Sequence, residues 1–370
     1  IVVCSKDSYL DKFDMLKNIK KNGIFLLNTE NEKIKLPNNY VKIIKERNID
    51  FYTINASKIA KENNIPNKIS MIMEMAILYV SNLIDKDKAK SYIKEMIIKN
   101  FSKKGESVVN SNINALEDAL KYLNKENELI AANQNIEINN NIISYLQHDQ
   151  GNDIPISMFN NKENGTVATN IKKLRTRNIS NMVPNYNKDK CIMCNLCSFV
   201  CPHAVIRPYL LTEEEYNCAP DFIKESVKDA KIKDNKLFFT IAVSVRDCTG
   251  CSLCTNICPT KAIIMEKQKL EEQEKFDYLE KLKEKEILPK ENVKNIGFVK
   301  PNFEFSGACA GCGETPYLRL LSQLFKDNLM IANATGCSSI YGASLPCIPW
   351  KSPWVNSLFE DNAEFGLGIR

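Results

Sequence analysis

The sequence predicts a multidomain chain: an α/β domain on a parallel sheet, then a small α+β domain gathered round two metal clusters, then the start of a further α/β domain. Three observations carry this. Strand-like and helix-like stretches alternate from Ile1; the pattern C-x2-C-x2-C-x3-C-P occurs twice, at 191–202 and 248–259; and small residues crowd round two more cysteines in NFEFSGACAGCGETPY.

In order, IVVC reads as a strand, Tyr9 to Ile19 as a helix, IFLLN (24–28) as a strand, Tyr40 to Glu46 as a helix and FYTIN (51–55) as a strand. Amphipathic helices follow through about Leu123. In ISMIMEMAILYVSNLI (69–84) the apolar positions Ile69, Ile72, Met73, Ala76, Tyr79, Val80 and Leu83 recur at helical spacing, which predicts a buried helix with methionine as core filler. Glu74 interrupts that stretch, and it falls short of the roughly 20 residues that span a bilayer, so no membrane segment is expected. The turn to Asn, Glu and Gln in KENELIAANQNIEINNN marks an exit, giving a first domain at 1–129 and a connecting segment at 130–170. The cysteine-rich domain takes 171–285 and the last part 286–370. KLEEQEKFDYLEKLKEKE (269–286) reads as a charged surface helix serving also as a strut between them. With neither an initial methionine nor a signal sequence, the chain is expected to be an internal stretch of a longer protein.

The duplicated cysteines are the most specific feature. Three thiolates at x2 spacing let one short loop hold three corners of a cubane, and the fourth cysteine turns away to the neighbouring cluster. The expected ligands are therefore Cys191, Cys194, Cys197 and Cys258 for one 4Fe-4S cluster, and Cys248, Cys251, Cys254 and Cys201 for the other. A zinc site differs, because it closes one tetrahedron from two separated C-x2-C pairs. Proline after each fourth cysteine, Pro202 and Pro259, is expected to start a helix. Between the motifs, TEEEYNCAPDFIKESVKDAK reads as helix and KLFFTIAVSV (236–245) as a strand, which suits a ferredoxin-like α+β domain with an insertion. Cys4 and Cys218 are expected to be structural thiols, and His203 a neighbour of the ligands and not one of them.

The formal charge of +5, from 50 Lys and Arg against 45 Asp and Glu, does not point to nucleic acid. Each oxidised cluster with its four thiolates adds about −2, leaving the loaded chain near neutral. The basic run KKLRTR (172–177) has no interleaved aromatic residue and reads as a solvated face. Fourteen cysteines clustered at ligand spacing point to a reducing compartment, the cytoplasm, and not to disulfides.

In the last part, Cys309 and Cys312 lie among Gly307, Ala308, Ala310, Gly311 and Gly313, and LMIANATGCSS reads as a strand ending in a loop that presents Cys337. Together with VVC, FLLNT, KKGESVV, CPHAVIRP and NSLFEDNAEFG, these residues resemble the pyruvate:ferredoxin (flavodoxin) oxidoreductases along the whole chain. The resemblance implies a coenzyme-A-associated domain first, a ferredoxin-like domain second and the start of a thiamine-diphosphate-binding domain third. It implies oxidative decarboxylation of pyruvate with coenzyme A, passing electrons to ferredoxin or flavodoxin, in a homodimer of the cytoplasm or, in a eukaryote, an anaerobic organelle. By it, Cys309, Cys312 and Cys337 ligate a third 4Fe-4S cluster, and Glu314 and Cys337 contact thiamine diphosphate. The family's fourth ligand for that cluster lies further downstream, and Cys347 reads as a loop or core thiol. No Gly-Asp-Gly is present to hold Mg2+ and pyrophosphate, and the segment between IPW and NSLFEDNAEFG is shorter than in the family, so a complete catalytic site is not expected from these 370 residues alone. Another 2-oxoacid oxidoreductase, or a non-catalytic iron-sulfur electron-transfer module, is the alternative.

Overall fold

The computed structural model describes residues 1–66, 68–132, 141–148, 150–161, 168–169, 177–232, 235–285, 289–290, 292–343, 348–359 and 361–369, in two units, Ile1–Met158 and Phe159–Arg370. The first runs β1 (Val2–Cys4), β2 (Ile24–Asn28), β3 (Lys35–Leu36), α1 (Asn38–Glu46), β4 (Asp50–Ile54), α2 (Ala56–Glu62), α3 (Ser70–Ser81), α4 (Lys86–Phe101), α5 (Glu106–Ala119), β5 (Leu123–Lys125), β6 (Ile130–Ala131) and α6 (Ile142–Gln147). Strands β1, β2 and β4 pair in parallel and β5 closes one edge antiparallel, in the order β1-β2-β4-β5. Helices cover both faces, so the central strand is a continuous apolar run. Leu26 belongs to the core made with Ile59, Ile72, Ala76, Ile97 and Leu116, while Phe25 and Leu27 belong to the other, with Leu16, Tyr40 and Ile44. The expected buried helix is α3, with Ile72, Met73, Met75, Ala76 and Val80 inside.

The expected helix over Tyr9–Ile19 does not form. A single 3-10 turn, Asp7–Tyr9, leads into successive turns. Tertiary partners take the backbone groups a helix would have paired: the Tyr40 hydroxyl donates to the Phe13 carbonyl and accepts from the Met15 N–H, and Arg47 donates to the carbonyls of Lys17 and Ile19. Leu10, Leu16 and Ile19 are still buried, so the apolar pattern was right and the element wrong.

The second unit contains β7 (Met182–Tyr186), α7 (Leu196–Phe199), β8 (Ile206–Leu211), α8 (Glu213–Asn217), α9 (Asp221–Lys224), β9 (Lys228–Ile232), β10 (Asn235–Val243), α10 (Leu253–Ile257), β11 (Ile263–Lys267), α11 (Leu270–Leu279), α12 (Val293–Ile296), α13 (Thr315–Phe325), β12 (Ile331–Ala334), α14 (Cys337–Ala343), β13 (Trp354–Ser357) and α15 (Asn362–Ile369). An antiparallel sheet β8-β10-β9, an antiparallel pair β7/β11 and a parallel pair β12/β13 organise it. The strand expected at 236–245 is β10. The helix expected over 212–231 is instead two short helices and a strand: a capping box of Thr212 and Glu215 starts α8, and Pro220 stops its continuation. The charged helix α11 is not simply solvated, because Phe276 and Leu279 enter the core of the sheet. Part of the connecting segment, and Lys172 to Thr176 of the basic run, lie outside the described residues. Arg177 is described and is not a solvated cation: its guanidinium donates to the carbonyls of Ser306 and Ala308.

Candidate metal centres

The two cysteine motifs fold as copies of one another down to individual backbone angles. Met193 and Gly250, two residues after the first cysteine of each, have φ of 58° and 67°; Asn195 and Ser252, two further on, have 60° and 64°; Ala204 and Lys261, three after the fourth cysteine, have 54° and 53°. Five of these six are not glycine, and left-handed backbone is uncommon for them. It turns N–H groups onto sulfur: Met193 N donates to Cys191 Sγ (3.3 Å), Gly250 N to Cys248 Sγ (3.4 Å) and Ala262 N to Cys258 Sγ (3.2 Å). Such bonds stabilise thiolate, and with it bound metal.

Helices α7 and α10 lie before the fourth cysteine of each motif. Pro202 and Pro259 therefore do not start helices as expected. They sit in turns just past α7 and α10, which proline cannot continue.

Two cavities result. Cys191, Cys194, Cys197 and Cys258 line one, with Ile241 and Ile263. Cys201, Cys248, Cys251 and Cys254 line the other, with His203 and Met265. The fourth cysteine of each motif thus faces the other motif's loop. Burial pushes the Cys248 thiol up to about 12 and raises Cys191, Cys197 and Cys254 as well. At Cys258 burial works the same way, but backbone N–H groups of Ile263 and Ala262 outweigh it and hold the thiol below its ordinary range. Buried thiolates need a cation in the cavity. A single zinc would draw its four sulfurs to about 3.8 Å of one another, from Zn–S bonds of about 2.3 Å. Among the described residues, no three His, Cys, Asp or Glu side chains converge on one ion position. Four thiols line each cavity, the number of thiolates that one 4Fe-4S cluster takes.

Gly250 is the one glycine among the six left-handed positions. A Cβ there would stand 2.3 Å from Ser180 Oγ and 3.2 Å from the Met182 carbonyl oxygen. Gly250→Ala is therefore expected to cost more than about 1 kcal/mol and to empty the second cavity first. Thermal unfolding and iron analysis check this; an unchanged melting temperature would argue against the strained loop.

The third cysteine set is more open. Cys309 and Cys337 are exposed and Cys312 is half-buried. Cys312 N donates to the Cys309 carbonyl (3.2 Å) round Gly311 at φ 75°, and a Cβ on Gly311 would stand 3.7 Å from Cys251 Cβ, so this loop touches the second motif. Cys337 is the first residue of α14, at the carboxyl end of β12, and Glu314 immediately precedes α13. Tyr341 lies a turn beyond Cys337, and burial, with Glu314, Cys312 and Cys337 nearby, pushes its phenol well above the ordinary range. Cys347 lies outside the described residues. Cys4 is buried, its thiol donating to the Lys6 carbonyl, and Cys218 is exposed.

Sequence reasoning missed the charges that fix this arrangement. The fully buried Glu304 pairs with Arg207, and Arg207 also donates to Glu280 (2.7 Å), which Lys300 meets at 2.9 Å. Arg207 stacks over Phe305 and Phe276, with ring centroids at 5.2 and 5.4 Å. Phe305 itself is at φ 52° and its N–H donates to the His203 carbonyl. The signal available was a glutamate between two phenylalanines in FEF, an apolar setting a solvated carboxylate does not occupy.

Comparison with known proteins follows the same division. The pyruvate ferredoxin/flavodoxin oxidoreductase family matches residues 1–122, and the 4Fe-4S dicluster domain matches 187–262. The chain is 37% identical, over its whole length, to a pyruvate-flavodoxin oxidoreductase of Klebsiella pneumoniae and also 37% identical to a pyruvate:ferredoxin oxidoreductase of Moorella thermoacetica. Over 98% of its length it is 39% identical to a pyruvate dehydrogenase [NADP(+)] of Cryptosporidium parvum. It spans 34% of the first two and 21% of the third.

Proposed function

Since residues 1–122 match the pyruvate ferredoxin/flavodoxin oxidoreductase family and the chain spans about a third the length of the curated pyruvate oxidoreductases it matches, we propose that it forms the electron-transfer part of an enzyme that oxidatively decarboxylates pyruvate with coenzyme A. The products are acetyl-CoA and CO2, and the electrons leave to ferredoxin or flavodoxin. The observation that carries this reading is the pair of four-cysteine cavities with exchanged fourth ligands. Bound there, two 4Fe-4S clusters supply one-electron transfer, and thiamine diphosphate with Mg2+, in the complete enzyme, supplies stabilisation of the carbanion left by decarboxylation.

The chain's own residues do the rest. Left-handed turns aim N–H groups at sulfur, and Ile241, Ile263 and Met265 keep water from the cavities, which tunes potential. Cys309, Cys312 and Cys337 are assigned to a third cluster, and Glu314 and Cys337 to thiamine contact; the nearness of Glu314, Cys312 and Cys337 to Tyr341 supports grouping those three. A Cβ on Gly311 would stand 3.7 Å from Cys251 Cβ, and this nearness of the third loop to the second motif supports stepwise transfer between them. Residues 1–129 are assigned to coenzyme A association. The complete enzyme is assigned as a homodimer of the cytoplasm, where thiols stay reduced. No helix among the described residues is long and apolar enough to cross a membrane.

Purified without oxygen, the chain is expected to carry about eight iron and as much sulfide, with visible absorption that dithionite bleaches. Stoichiometric zinc in their place would defeat the reading. In the enzyme that contains this segment, viologen reduction should require pyruvate and coenzyme A together. Faster turnover of another 2-oxoacid would displace pyruvate as substrate.

A further inference from the structure

Arg319, in α13, is only 2% exposed, yet it forms no ion pair with a carboxylate among the described residues. Its two terminal nitrogens donate to the carbonyls of Ser198 and Phe199, where α7 ends just before Cys201, and its Nε is buried with no hydrogen-bond partner. Phe199 lies under the guanidinium at 5.9 Å. A buried, unpaired guanidinium costs several kcal/mol, and carbonyls return only part of it. Burial pushes its pKa down to about 10, still protonated at neutral pH; Cys201 opposes that fall and the Arg207 cation adds to it.

We propose that Arg319 is the buried counter-ion of the cluster held by Cys201, Cys248, Cys251 and Cys254, and that its charge holds that cluster's reduction potential up. The inference rests on the cluster reading above. A fixed cation in a low-dielectric setting favours the more negative, reduced form of a neighbouring centre. The first cavity has a weaker counterpart: Lys228 donates to the Cys191 carbonyl (2.7 Å) and the Lys188 carbonyl (3.3 Å), but it is only half-buried, where solvent screens its charge.

The test is a potentiometric titration of the iron-loaded chain followed by electron paramagnetic resonance, on wild type, Arg319→Gln, Arg319→Lys and Lys228→Gln. In R319Q one of the two reduction steps should fall by a factor of ten in its equilibrium constant, about 59 mV for one electron, and the other should stay. R319K keeps the charge and should leave both steps in place, while K228Q should move only the step that R319Q leaves. Unmoved steps in a fully loaded R319Q chain overturn the proposal. So does an R319K chain that falls as far as R319Q, since geometry and not charge would then be at work, or a K228Q chain that moves the same step. If R319Q does not retain its clusters, R319K decides against wild type: unmoved steps support the proposal and a tenfold fall overturns it. Failure of the underlying reading looks different, because the wild-type chain would then hold no iron.

Discussion

A Cys258→Ala chain is expected to lose the cluster whose other ligands are Cys191, Cys194 and Cys197, not the one whose loop lies in its own motif. Iron should fall from about eight to about four per chain, and the magnetic coupling between two reduced centres should vanish. Combining substitutions makes the exchange measurable. Joining C258A to Cys191→Ala should remove no more iron than either alone, because both strip one cluster. Joining C258A to Cys248→Ala should remove nearly all of it. The opposite pattern of additivity would mean that each motif closes its own cluster. The geometry behind the expectation is that Cys258 shares a cavity with the first loop and Cys201 with the second.

The spacing of the cysteines made the sharing of the two cavities legible, because three cysteines on one tight loop leave the fourth pointing elsewhere whatever the rest of the fold does. The loop conformation was not legible. Of the six left-handed positions only Gly250 announces itself; at Met193, and at Lys261 just before Ala262, the turn brings an N–H group of Met193 or Ala262 onto sulfur. The parallel sheet was legible from β1, β2 and β4, since buried parallel strands read as apolar runs. The lost helix over Tyr9–Ile19 was not, because Tyr40 and Arg47, distant in sequence, supply its hydrogen-bond partners. The same limit hid Arg207, Glu304 and Arg319: a buried charge is recognised by its partner, and these partners are far apart along the chain.

The Arg207 network carries the other large expected effect. Arg207→Met would leave Glu280 and the fully buried Glu304 without their shared cation, and breaking a buried pair from one side costs about 3–5 kcal/mol. A domain is stable by only about 5–15 kcal/mol, so the urea midpoint of the variant should fall steeply, and iron retention with it, because Glu304 anchors the strand of chain leading to Cys309. Replacing both sides, as in Arg207→Met with Glu304→Leu, should recover much of the loss. Burial works against ionisation of Glu280, but Arg207 and Lys300 outweigh it and hold its carboxyl below the ordinary range. A carboxyl lowered in the folded state stabilises fully above its unfolded pKa of about 4.3, and that contribution is lost as pH falls through the folded value. Removing Arg207 removes most of that lowering. The gap between wild type and R207M should therefore be widest above about pH 5 and narrow on acidification below it. A gap independent of pH, or a double variant no better than R207M, would locate the damage in lost packing of Arg207 against Phe276 and Phe305 instead of in the carboxylates that lose their shared cation.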